Sequence, residues 1–319
     1  MLHRLRFLPG RLIQSIPVVF GVTLIVFFMA RLLPGNPALA ILGQRATAAA
    51  VAALDKQLGL DTPIWEQYFL FMGRLFQGNL GTSLTYQLPV TQLVAQAIPV
   101  SLSLLGMALL LSLVISIPFA ALAAFKPGSG RDLAVRGFTL LGQGMPQFWL
   151  AIMLILLLAV GAHAFPVGGY GTSALDHPYY LFLPALTLAI TMCPTVIRSL
   201  RSSIIGVLGS EYIGTAKSKG SYGAALFRGH VLRNAAIPTV SIIGVNLGFL
   251  VGGSLVIEKV FALPGLGSLM INAIFARDFP TIQGVTLFVA LFVVAVGILT
   301  DVVYTMLDPR VNLGAKDQS

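Results

Sequence analysis

The chain has 319 residues, of which 56% are hydrophobic and only 10% charged, and its mean hydropathy is +0.89. This excludes an ordinary soluble globular domain, in which about a quarter of the residues are charged. The formal net charge of +9 would suit a nucleic-acid partner, but the placement of the cations speaks against one, as shown below.

Charge-free windows cover residues 12–30, 75–125, 137–175, 234–257 and 279–300, and a sixth apolar window, 177–197, runs into Arg198 and Arg201. Each is long enough to cross about 30 Å of hydrocarbon. Helices are expected, because open strands would leave unpaired backbone groups in lipid. The spans are placed near 11–32, 99–124, 137–161, 180–200, 235–257 and 284–306. The predicted fold class is an all-α integral membrane protein with six transmembrane helices and both termini on one side. The division expected is a tail and first helix (1–33), a more polar segment (34–97), a transmembrane core (98–310) and a short tail (311–319). The basic start and Ala38-Leu39-Ala40 resemble a cleaved signal peptide. However, the apolar core of about 19 residues exceeds the usual 7–15, so retention is expected.

In chain order, Pro34-Gly35-Asn36-Pro37 is expected to stop the first helix. Thr47 can cap an Ala-rich helix ending at Gly59. Thr62-Pro63 opens another helix in a cap-then-proline arrangement. Its apolar residues Trp65, Phe69, Met72 and Phe76 recur at helical spacing, with Glu66 and Arg74 off that stripe. Gly78 and Gly81 close a small extracytoplasmic helical subdomain on the membrane surface. Residues 162–180 are a short loop with Gly168, Gly169 and Gly171, and 259–283 read as a turn followed by an amphipathic helix. There is no internal repeat.

The cations sort by topology. Arg4, Arg6, Arg11, Lys126, Arg131, Arg136, Arg198, Arg201, Lys217, Lys219, Arg228, Arg233, Arg310 and Lys316 fall on one face, fourteen of the twenty Lys and Arg. That bias places both termini and the 201–233 loop in the cytoplasm. The basicity is thus accounted for without nucleic acid.

Within that loop, residues 211–238 form a polar island between apolar stretches. Glu211 stands where a helix start favours an anion, and Lys217 and Lys219 stand where a helix end favours cations. Tyr212 and Ala216, four apart, are expected to share a face. Gly220 allows a sharp turn. An ordinary basic loop would explain the charges but not the glycine-punctuated short helix.

Enzymatic chemistry is not indicated. No G-x-x-x-x-G-K-[ST] loop for phosphate occurs. His3, His163, His177 and His230 form no i, i+4 pair, so no metal site is expected. Cys193 is alone, which leaves no disulfide or thiolate cluster and suggests simple packing inside a helix. Polar residues within spans are the usual markers of a pathway. Gln143, Gln147, Asn246 and Asp301 are the candidates, with Ser112, Ser116, Thr187 and Thr191 weaker and Glu258, beside Lys259, a gate or packing ion pair. Against each stands a packing role, since such side chains also bond their own helix or glue neighbours.

Several segments together carry a resemblance to the dipeptide/oligopeptide/nickel permease family of binding-protein-dependent ABC importers. They are RLLPGNP (31–37), LGLDTPIWEQY (58–68), GNLGTSL (78–84), GMPQFWLAIML (144–154), EYIGTAKSKG (211–220), HVLRNAAIP (230–238), GGSLVIEKVFALPGLG (252–267), RDFPTIQG (277–284) and LDPR (307–310). Asn36 replaces a more usual aspartate, and Ser218 is a second departure. The resemblance implies a type I ABC importer permease fold in the bacterial inner membrane. It also implies that Glu211, Tyr212, Thr215, Ala216, Lys217, Lys219 and Gly220 couple the chain to an ATPase. Partners would be a second homologous permease, two ABC ATPase subunits and a periplasmic or lipid-anchored substrate-binding protein, all with membrane lipid. No cofactor is expected on this chain; ATP and Mg would sit on the partner ATPases. Short peptides are the implied cargo, with nickel, a metal–chelator complex or glutathione as alternatives. A secondary transporter or channel would want inverted repeats and mid-membrane ionisable groups, and a membrane scaffold would need no docking loop.

Overall fold

The computed structural model describes residues 8–32, 47–58 and 62–307, so the Pro34–Pro37 stop, Gly59 and the 311–319 tail lie outside the described residues. Among these residues the architecture is helical, apart from one isolated bridge between Thr82 and Pro89. In chain order the helices are α1 (Leu8–Leu32), α2 (Ala48–Leu58), α3 (Ile64–Phe76), α4 (Val90–Ala124) and α5 (Gly130–Gly144). There follow α6 (Gln147–Gly161), α7 (His177–Leu208), α8 (Glu211–Ser218), α9 (Gly223–Val260), α10 (Leu266–Ala276) and α11 (Phe279–Leu307). Five of them, α1, α4, α7, α9 and α11, are long and apolar enough to cross a membrane, and α5 with α6 makes a sixth if taken as one bent span.

The expected third span, 137–161, is not one helix. α5 and α6 meet at 105°. Pro146 lacks an amide hydrogen and forces Met145 out of the helical region, to φ −85°, ψ 124°. The second span begins earlier than expected, at Val90 after Pro89, with Pro99 inside the helix. α7 likewise carries Pro184 and Pro194 within it, both buried where neighbouring helices accommodate them. The loop expected over 201–233 shrinks, because α7 continues to Leu208 and α9 resumes at Gly223 through a π-helical stretch, Phe227–Leu232.

α4 and α7 form the central pair, α9 packs on α7, α11 on α9 and α1 on α11. Small residues at full burial (Ala120, Ala123, Ala185 and Ala189) let helices approach closely. One apolar cluster fills the middle of the bundle around Leu104, Leu188 and Val196. A second lies at the α8 end, around Ile197, Leu200 and Ile204 of α7. A third, around Val90, Leu266 and Val285, lies at the far end. Cys193 is buried as expected, its thiol against Ser112 of α4.

The expected turn and helix over 259–283 is present as α10. Two buried carboxylates organise that end. Glu258 accepts from Ser101 Oγ at 2.7 Å, Gly267 N at 2.7 Å and Ser268 N at 3.2 Å, and so closes the start of α10 against α4. Asp278 accepts from Ser83 Oγ and from the amides of Leu84, Thr85 and Thr281, joining the 83–85 turn to the start of α11.

In the 34–97 segment, Thr47 Oγ1 accepts from Ala50 N at 3.2 Å, the expected cap of α2. α3 departs from expectation by starting at Ile64 with Pro63 at its cap position. Its contact with α1 is made off the Trp65–Phe69–Phe76 stripe. Tyr68, 9% exposed, is the buried residue, and its hydroxyl lies 2.8 Å from Thr23 Oγ1. Trp65, Phe69 and Phe76 are 63%, 70% and 83% exposed. The sequence stripe is the uncovered face, because Tyr68 and Phe71 meet Phe27 of α1 instead.

Candidate functional site

α8 is eight residues long and sits between the ends of α7 and α9. A helix this short is marginal alone and needs tertiary anchoring. Ile213 supplies it, 1% exposed within the cluster formed with Ile197, Leu200, Ile204, Leu226 and Val231. Ala216, three residues on, packs against the same cluster. The remaining candidates, Glu211, Tyr212, Thr215, Lys217, Lys219 and Gly220, are exposed. Thus Ala216 leans toward the bundle with Ile213, whereas Tyr212, expected on the face of Ala216, points outward. The i, i+3 spacing of the one large aliphatic and the alanine decides which side is inward.

The helix closes through Gly220 N to Lys217 O at 2.9 Å and Ser221 N to Ala216 O at 3.1 Å. Gly220 has φ +85°, and a Cβ built there meets nothing within 4 Å. Glycine is therefore required by the left-handed backbone and not by lack of room.

Beside α8 lies a charge cluster that the sequence reading missed. Asp132, in the first turn of α5 and beyond the apolar spans, is fully buried. Arg201 of α7 donates to it twice, Nε to Oδ1 at 2.7 Å and Nη2 to Oδ2 at 2.8 Å. Arg136 Nη2 adds a bond at 2.8 Å and Gly128 N one at 2.9 Å. The Arg201 bonds, then the Gly128 amide, hold the Asp132 carboxyl at about 2, below the usual 3.8. The local signal in the sequence was Ser129-x-x-Asp132, a helix-start pattern, with Ser129 Oγ accepting from Asp132 N. The partner 69 residues away carried no such signal.

The pathway candidates are scattered. Gln143 is exposed and accepts from Arg198 at 3.1 Å. Gln147 stands at the start of α6 against Gly253 of α9, where an added Cβ would lie 2.8 Å from its Oε1. Asn246 donates to Ile242 O of its own helix at 2.8 Å. Glu258 is not ion-paired with Lys259: its carboxylate is fully buried under the donors named above, and Lys259 Nζ donates to Asn272 Oδ1. Asp301 pairs at 2.9 Å with Arg11 of α1. It also lines an open cleft of about 560 Å³ between α9 and α11, with Ser241, Gly244, Gly248 and Thr300. Thr187 and Thr191 bond carbonyls of their own helix, and Ser112 lies beside Cys193. Among the described residues no three His, Cys, Asp or Glu side chains gather as a metal site would need.

A bundle of apolar helices, one of them broken, with a short anchored helix on a connecting loop, defines a multi-pass helical membrane protein. Solved ABC transporters share the fold. The methionine ABC transporter MetNI in an inward-facing conformation matches with a TM-score of 0.56 at 16% identity, over 68% of this chain and 97% of that one. An amino acid ABC transporter matches with a TM-score of 0.51 at 14% identity, over 68% and 94%.

The chain belongs to the family described as the binding-protein-dependent transport system inner membrane component, whose profile matches residues 116–313. The N-terminal profile of the same membrane components matches residues 4–105. Among its relatives is the oligopeptide transport system permease protein AppB of Bacillus subtilis (strain 168), 34% identical over 95% of this chain and 98% of its own length. The dipeptide transport system permease protein DppB of Escherichia coli (strain K12) is 33% identical over 97% and 99%. A Brucella suis protein provisionally named as a peptide transport system permease is 39% identical over 95% and 97%.

Proposed function

We propose that this chain is the permease subunit of an ATP-driven importer that passes short peptides from a binding protein into the cytoplasm. In this reading ATP and Mg bind partner ATPase subunits, and a second, homologous permease completes the pore. The peptide cargo is supported by the names of the relatives, and the orientation, with α8 and both termini cytoplasmic, by the cation bias.

The observation that carries the coupling part is α8 itself. One face is seated on the bundle by Ile213, and the other offers Glu211, Tyr212, Thr215, Lys217 and Lys219 to a partner. An element fixed on one side and free on the other suits force transfer from a soluble ATPase. Gly220→Arg tests it. The φ of +85° makes any side chain there cost about 1–2 kcal/mol. The bulk projects into open space, where the partner would seat. Membrane insertion and abundance should survive, while ATPase retention, substrate-stimulated hydrolysis and uptake should fall. Normal values of all three in the purified Gly220→Arg complex would overturn the coupling role.

A further inference from the structure

The uncovered face of α3 lies at a definite depth. The ion pair of Arg11 with Asp301 marks the α8 end of α1. Near its other end, Gln283 Nε2 of α11 donates to Val26 O at 3.2 Å. Tyr68 meets α1 between these marks, bonded to Thr23 and ring-packed on Phe20 and Phe27. At 1.5 Å rise per residue, Thr23 is about 18 Å from Arg11 and about 7.5 Å short of Phe28, the far end of the apolar span Leu8–Phe28. That lies within the roughly 30 Å of hydrocarbon and in the leaflet opposite the coupling loop. α3 is therefore attached beside a membrane-spanning helix and not above it.

Around its axis, at 3.6 residues per turn, α3 divides into three sectors. Tyr68 and Phe71 turn to α1. Met72, Trp65, Phe76 and Phe69 follow within about 60° of one another, immediately beside them. Glu66 and Arg74 occupy the remaining side, both exposed. Of the large side chains in the second sector, Trp65, Phe69 and Phe76 are bare, and Phe69 lies against Tyr68 at 6.3 Å between ring centroids. Through Tyr68 the bare stripe adjoins Phe20 of α1, which is itself half exposed.

From these positions we propose that α3 is seated in the bilayer. Its Trp65–Phe69–Phe76 stripe is covered by lipid at the headgroup–acyl boundary of the leaflet opposite the coupling loop, with Glu66 and Arg74 toward water. The chemistry fits: amphipathic interfacial helices bury an apolar face about 5–10 Å into that boundary. Tryptophan is enriched at this level. Attachment through Tyr68 would make α3 a lateral collar on α1, which ties the tilt of the first helix to the membrane surface.

The test places a spin label at each of four positions through Phe69→Cys, Phe76→Cys, Glu66→Cys and Arg74→Cys. It uses the full complex in nanodiscs, with partner cysteines removed. Cys193 is the chain's sole cysteine and is fully buried, so the label goes to the introduced sites. Collision with oxygen, which concentrates in lipid, should exceed collision with a water-soluble nickel chelate at 69 and 76, with the order reversed at 66 and 74. Nickel-dominated collisions at all four positions would place the stripe in water and overturn the proposal. Low collision with both reagents at 69 and 76 would show a protein partner, such as the second permease, covering the stripe, and would overturn it equally. Neither outcome bears on cargo or on coupling through α8.

Discussion

Ile213→Ala should detach the coupling helix while leaving the bundle folded. The side chain is 1% exposed, and the substitution removes three carbons from the α8-end cluster. At about 0.8 kcal/mol per buried carbon the transfer loss is about 2.4 kcal/mol, before any cavity contribution. Large-to-small core changes of this type span about 2–5 kcal/mol, so the figure is a lower one. The eight residues of α8 have little intrinsic helix stability to fall back on, and Ala216 is the remaining inward contact. A loss of 2.4 kcal/mol shifts the docked-to-undocked ratio roughly fiftyfold. The amides of Lys219 and Gly220, which bond Thr215 O and Lys217 O, report that ratio directly. Hydrogen exchange at these amides in the nanodisc-embedded protein should accelerate roughly fiftyfold, while amides at the centre of α4 and α7 stay protected. On the proposed coupling, uptake should fall without loss of the transmembrane fold. Unchanged exchange at 219 and 220 would refute the view that Ile213 anchors α8.

Asp132→Asn removes the charge that Arg201 and Arg136 share and should destabilise the protein by on the order of 2 kcal/mol, read by thermal unfolding. Because the folded carboxyl titrates near 2, below its unfolded 3.8, its contribution is fully present above about pH 4 and is lost as pH falls toward 2. The gap between wild type and variant should accordingly stay flat from about pH 5 to 8 and close in acid. Gly168→Ala puts a Cβ 2.5 Å from the Phe261 carbonyl oxygen and should lower thermal stability, whereas Gly106→Ala in α4, with nothing within 4 Å, should be tolerated; equal midpoints would contradict the packing. Cysteines at 50 and 170 should react from outside intact cells with an impermeant thiol reagent, and one at 218 should not. Labelling at 218 would invert the orientation.

Much of this was legible from sequence because lipid imposes strong rules. Charge-free windows located the spanning helices, and Glu211 and Gly220 bracketed α8, whose observed bounds fall inside them. Hydropathy, however, carries no direction. The window 137–175 is free of charge throughout, yet the chain turns by 105° at Met145-Pro146, a local backbone event that a composition average cannot register. For a related reason the stripe on α3 did not say which of its faces meets α1. A helix beside lipid is apolar toward its neighbour and toward the membrane, so the most regular stripe need not be the packed one. The Asp132–Arg201 pair joins residues too far apart for any local pattern, and Ile213 was passed over because one large aliphatic in the polar run 211–220 looks incidental until its burial is seen.

The two ends of the bundle are built by opposite means, and that bears on where motion can enter. At the far end, Glu258 and Asp278 are fully buried and receive their bonds from hydroxyls and backbone amides, with the 83–85 turn, α4, α10 and α11 converging on them. Displacing any one of these elements would strand a buried carboxylate, which costs far more than breaking an exposed contact. This end should therefore move as one body. At the other end, α8 rests on one large side chain, and Asp132 fastens the start of α5 to α7, about 20 Å along the helix from the α5–α6 break. A displacement applied at α8 passes through Ile213 into the α7 residues Ile197, Leu200 and Ile204. It passes on through Arg201 to Asp132 and α5. The next compliant point on that route is Met145-Pro146, where the helical hydrogen bonding is already interrupted. On the proposed coupling, this break is where α5, fastened to α7 through Asp132, and α6, held against α7 and α9, can shift relative to one another.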